Sequence, residues 1–160
     1  MPRFVWSSDY DIGIKVIDQQ HQRIIDYINQ VYAAPKLDST SVEPSTARAN
    51  LKEVLTSLID YTYSHFAFEE AMLEEVEYAD LQEHQLTHQN FRSVVEQMQD
   101  RFDSGDDVGT ELAELLQKWL IQHILTDDRR YAAVIKLRLP ETPSERQLNW
   151  VQAAIARYFH

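Results

Sequence analysis

The chain has 160 residues, 3 glycines, 5 prolines, no cysteine and a formal net charge of −11. One domain large enough to enclose a hydrophobic core is expected, and the scarcity of Gly and Pro argues against an all-β fold. The absent thiols exclude disulfides, zinc–thiolate sites and iron–sulfur clusters, and the acidic balance excludes nucleic acid and anionic membranes as partners.

The first 17 residues mix signals. DIGIKVID alternates with period two but has no evident strand partner, so an extended arm packed on the main body is expected. A first helix is expected from near Asp18, a suitable N-cap, with Ile17, Ile24, Ile25, Ile28, Val31 and Tyr32 as its apolar positions. APKLDSTSVEPS breaks that pattern. A second helix runs from about Pro44 to Met72 or Leu73, striped by Leu51, Val54, Leu55, Leu58, Tyr61, Thr62, Phe68 and Met72. EEVEYAD leads to a third, about Asp80 to Phe102, carrying Leu81, Phe91, Val95, Met98 and Phe102. DSGDDVG is a loop, and a fourth helix follows with Leu112, Leu116 and Trp119. These four helices make the fold class all-α, an antiparallel up-down-up-down four-helix bundle. A further helix is expected after Thr142 as N-cap, with Pro143 at N1, Glu145 completing a capping box, and a stripe of Leu148, Val151, Ile155 and Tyr158 or Phe159. The bundle is assigned to residues 1–131 and the C-terminal helical extension to 132–160. No apolar run reaches the length of a membrane span, and MPRFVWSSDY is no signal peptide, so a cytoplasmic protein is expected.

Five of the six histidines continue the apolar stripes: His21, His65, His84, His88 and His123. Glu69 follows His65 by four and shares its face. In an alternating bundle the start of helix one, the end of two, the start of three and the end of four lie at one end. Five imidazoles and a carboxylate therefore meet at one level, where burial without a partner would be costly. Imidazole and carboxylate donors suit iron, zinc, copper, nickel or manganese, and their number points to two metals sharing carboxylates. HExxH, the zincin signature, is absent, and so are the paired ExxH motifs of ferritin-like sites.

The order of these residues resembles the hemerythrin family, particularly its bacterial members. It comprises Trp6 and DQQ before His21, FAF between His65 and Glu69, QLT between His84 and His88, and WLIQHI followed by Asp128, over roughly residues 4–131. The resemblance implies two iron ions bridged by an oxo or hydroxo group and by the carboxylates of Glu69 and Asp128. It gives one iron His84, His88 and His123, and the other His21 and His65. It implies reversible binding of dioxygen for storage, delivery or sensing, and no enzyme activity. The competing functions are a di-iron redox enzyme reducing peroxide or nitric oxide, and an oxygen or redox signalling module. Trp119, Leu120 and Ile124 are candidates for lining a dry pocket at the cofactor.

Helix four offers two aspartates. In a regular helix Asp127 stays on the face of His123, whereas Asp128 swings about 140° away. The family spacing favours Asp128, which requires a local π-bulge or a distortion as the helix ends. Residues 132–160 exceed the usual bundle. They form either a helix packed outside it or, through residues 142–159, a surface for self-association or a protein partner.

Overall fold

The computed structural model describes residues 4–34, 43–138 and 145–159. Helix α1 spans Lys15–Ala33, α2 Pro44–Glu75, α3 Leu81–Asp103 and α4 Gly109–His123. A π-helical turn, Ile124–Asp128, joins α4 to α5, Arg129–Arg138, and α6 spans Glu145–Tyr158. No strand occurs among the described residues. Each of α1 to α4 packs on its chain neighbours and α1 closes on α4, the ring expected of an up-down-up-down bundle. No helix among the described residues is long and apolar enough to cross a membrane.

The helices form where the apolar stripes predict, because those stripes supply the core. Ile17, Ile24, Ile25 and Ile28 of α1 meet Leu51, Leu55, Leu58 and Met72 of α2, Phe91 and Val95 of α3, and Leu112, Leu116 and Leu120 of α4, all buried. Two expectations shift. The first helix begins at Lys15, ahead of Asp18, so Asp18 lies in its first turn instead of capping it. Its carboxylate reaches back to accept hydrogen bonds from the backbone N–H of Ile12 and of Gly13, at 2.9 and 3.1 Å. The arm is extended but holds a 3-10 turn at Ser8–Tyr10. Reciprocal bonds between the Phe4 backbone and the Asn29 side chain, both 2.8 Å, pin it to α1.

α5 carries the fourth helix past residue 131. α6 lies against α2, where Trp150 and Phe159 stand 6.1 and 6.0 Å from Phe68 and Phe159 is 5.0 Å from Tyr61. Val151, Tyr158 and Phe159 of the expected stripe pack against the core, but Ala154 is buried where Ile155 was expected, and Ile155 is 39% exposed. Thr142, Pro143 and the side chain of Leu148 lie outside the described residues.

Candidate metal centre

α1 delivers His21 from its second turn, α2 delivers His65 and Glu69 from its last turns, α3 delivers His84 and His88 from its first, and α4 ends on His123. The fold brings these six and Asp128 together, each 4% exposed or less. The donor atoms of Glu69, His84, His88 and His123 lie within 4.8 Å of one another, as do those of His21, His65, Glu69 and Asp128. Glu69 belongs to both groups. Its Oε2 is 3.2 Å from His65 Nε2, and its Oε1 contacts His84 Nε2 and stands 3.4 Å from His88 Nε2. Asp128 spans the groups as well, with Oδ2 at 3.1 Å from His21 Nε2 and Oδ1 at 3.2 Å from His123 Nε2.

Asp128 reaches this position because the helix widens. The π-helical turn at Ile124–Asp128 adds a residue to the circuit, so five residues after His123 the chain returns to its inner face. Asp127 remains beside His123 as regular periodicity requires, but from outside: His123 Nδ1 donates to Asp127 Oδ2 at 2.8 Å. Two further outer bonds have the same form. His65 Nδ1 donates to Gln20 Oε1 at 2.7 Å, and His88 Nδ1 to Glu70 Oε2 at 3.4 Å. Each outer acceptor holds the proton on Nδ1 and turns the Nε2 lone pair inward.

That tautomer makes the interior incomplete. The Nε2 atoms of His88 and His123 face each other at 3.0 Å. Both ring nitrogens of His21, Nε2 of His65, Oε2 of Glu69 and both carboxylate oxygens of Asp128 are buried without a hydrogen-bond partner among the described residues. Orphaned buried acceptors are expensive, and a pair of cations would engage them all except His21 Nδ1. The donor set therefore fits two metal ions.

The charges show the same tension. Burial lowers the His21 pKa to about 4, against the opposing pull of Glu69. Burial also disfavours charge on His123, yet Asp128, Asp127 and Glu69 together raise it to about 10. Asp128 is raised to about 7 by burial and by the charge of Glu69, while Glu69, in spite of its burial, is held well below the carboxylate range by His84 and its neighbours.

Aromatic rings wall the three-histidine side. Phe66 stacks on His88 at 4.0 Å, Trp119 on His123 at 4.4 Å, and Phe91 on Trp119 at 4.0 Å. Trp119 thus stands against the three-histidine group. Leu120 and Ile124 are 1% and 0% exposed. Trp6 of the arm lies 6.3 Å from His21, and Tyr131 lies 5.5 Å from His84. A crevice of about 10 Å³ between Tyr78, Glu83, His84, Asp127 and Arg130 has room for roughly one water. A larger surface groove of about 690 Å³, lined by Phe4, Tyr32, Ile121 and Leu125 among others, includes none of the seven donors.

A family model described as the hemerythrin HHE cation binding domain matches residues 12–135. The chain belongs to the hemerythrin family. It is 39% identical to a bacteriohemerythrin of Stenotrophomonas maltophilia and 36% identical to one of Pseudomonas aeruginosa, over 99% of each chain in both pairs. Among solved structures, a wild-type hemerythrin superposes with a TM-score of 0.72 at 25% identity, covering 84% of this chain and 98% of that one. The C-terminal extension therefore has a counterpart in the two bacteriohemerythrins and is no peculiarity of this chain.

Gln20, Glu70 and Tyr131 escaped the sequence reading as parts of this hemerythrin-type centre, and Asp127 was weighed there only as an alternative to Asp128, not as the outer partner of His123. Gln20 and Glu70 each adjoin a residue already singled out, and Asp127 lies four after His123. Position beside a donor was their signal, but polar residues beside a buried stripe more often face solvent, so the pattern alone does not select them.

Proposed function

We propose that the chain binds dioxygen reversibly at a non-haem di-iron centre, for storage, delivery or sensing, and that it is not an enzyme. In this reading His84, His88 and His123 hold one iron and His21 and His65 the other, with Glu69 and Asp128 shared. The observation that supports it most is the pair of donor groups, one with three histidines and one with two, joined by Glu69 and by the reach of Asp128 to His123. Bound there, an iron pair would supply redox chemistry toward dioxygen.

The remaining work belongs to the chain. Gln20, Asp127 and Glu70 orient three of the imidazoles through Nδ1. Leu120 and Ile124, both buried, exclude water, and so do the stacked rings of Phe66, Phe91 and Trp119. A dry surround keeps protons from reaching the centre and so favours release of dioxygen over its reduction.

The test is anaerobic reduction of the iron-loaded protein followed by addition and removal of dioxygen. A visible absorption band that appears with dioxygen and vanishes on its removal is the expected result. Immediate irreversible oxidation, with sustained turnover of peroxide or nitric oxide, would replace this reading with that of a redox enzyme.

A further inference from the structure

The two donor groups differ in what stands behind them. In the three-histidine group, His123 Nδ1 donates to the carboxylate of Asp127 at 2.8 Å and His88 Nδ1 to that of Glu70 at 3.4 Å. In the two-histidine group, His65 Nδ1 donates to the neutral amide of Gln20 at 2.7 Å, and His21 Nδ1 is buried with no partner among the described residues. Two outer carboxylates therefore back one group and none is bonded to the imidazoles of the other.

A carboxylate on the far nitrogen pushes electron density through the ring and makes Nε2 a stronger donor, whereas an amide fixes orientation with little added charge. An unpartnered Nδ1–H does neither. We infer that Asp127 and Glu70 against Gln20 make the centre deliberately unequal: the three-histidine position binds its metal more tightly, fills first and favours the more oxidised ion, and the two-histidine position is the weaker, exchangeable one. Asp127 and Glu70 act as positioning and charge-tuning residues, since neither touches the metal position itself. The inference rests on the two-metal reading above.

Ligand number alone would also favour the three-histidine position, so the decisive variant changes the outer charge and nothing else. Asp127→Asn keeps an oxygen to accept from His123 Nδ1 and removes the charge. The full-length apoprotein is titrated with cobalt(II), whose visible spectrum reports each site as it fills. Wild type should take up two equivalents in two resolved steps. His21→Ala should keep the first step and lose the second, and His88→Ala should do the reverse. Asp127→Asn should weaken the first step by about 10- to 100-fold and leave the second in place. Glu70→Gln, acting over the longer bond, should do so less, and Gln20→Glu should tighten the second step. In the iron-loaded protein Asp127→Asn should also raise the reduction potential of one ion only, a change that a purely structural role would not produce. A first step and a potential both unmoved by Asp127→Asn, or a wild type that fills both positions in one unresolved step, would overturn the inference while leaving the two-metal reading intact. Uptake of fewer than two equivalents by wild type would overturn the two-metal reading itself, and the inference with it.

Discussion

Asp18 shows how a single side chain ties the arm to the centre. It is 8% exposed, and its two oxygens accept from the N–H groups of Ile12 and Gly13. Gly13 has φ +84°, a left-handed conformation, and the space where a Cβ would sit is taken by the Lys136 side chain. Among the described residues no other acceptor serves those two N–H groups, so removing the carboxylate strands both. Asp18→Ala is expected to lower the stability of the apoprotein by about 1–3 kcal/mol. Urea unfolding should show the midpoint falling with the slope unchanged, and an unmoved midpoint would mean that water replaces the carboxylate at no penalty. The sequence places an aspartate near the start of the first helix, and a helix start is what Asp18 serves. Which side of the boundary it occupies depends on the arm folding back over it, and periodicity carries no information about that.

At the scale of the elements, α2 and α3 end alike on different residues. Each closes with the N–H of the second residue past its cap bonded back into the last turn: Tyr78 to the Leu73 carbonyl at 2.9 Å, and Asp106 to the Arg101 carbonyl at 3.0 Å. This geometry requires a left-handed residue after the cap. α3 uses Gly105, φ +111°, but α2 uses Glu77, φ 55°. A side chain in that conformation costs about 1 kcal/mol or more relative to glycine. Glu77→Gly should therefore raise stability by about 1 kcal/mol, read as a higher urea midpoint. A loss of stability would show that Glu77 makes a compensating interaction. The four bundle helices were legible because each buries one continuous stripe, and the stripe is a property of the sequence itself. The π-helical turn at Ile124–Asp128 was not legible from periodicity, which favours Asp127 on the inner face. Only the family spacing from His123 called for it. The widening is favoured where it brings Asp128 among five imidazoles, a tertiary gain that no local pattern encodes. One position of the α6 stripe was misread for the same kind of reason: Val151, Tyr158 and Phe159 face the core as expected, but Trp150, which meets Phe68 on another helix, and Ala154 pack there in place of Ile155.

Across the whole molecule, the bundle divides into a purely apolar end and an end lined with buried donors that a metal could engage. Far from the histidines, Leu51 and Leu55 of α2, Met98 and Phe102 of α3, and Leu112 and Leu116 of α4 are each 7% exposed or less and purely apolar. At the other end, the orphaned nitrogens and oxygens of His21, His65, Glu69 and Asp128 oppose folding until something binds them. Metal binding to the folded state alone adds RT ln(1 + [L]/Kd), about 4 kcal/mol when the free metal exceeds Kd a thousandfold. Removing the metal with a chelator should therefore lower Tm without unfolding the protein, and the loss should be local. Hydrogen exchange with and without metal is the measurement that separates the two ends. Protection in the absence of metal should persist over residues 51–58 and 95–102. It should fall over 65–69 and over the π-helical turn at 124–128, which carries Asp128 into the donor cluster. A chelated protein with the Tm of the loaded one would mean that the seven side chains satisfy each other. A chelated protein with no protected amides would mean that the apolar end is too small to fold alone. The division of labour predicts neither, because the apolar layers need no donor at the histidine end to exclude water from themselves.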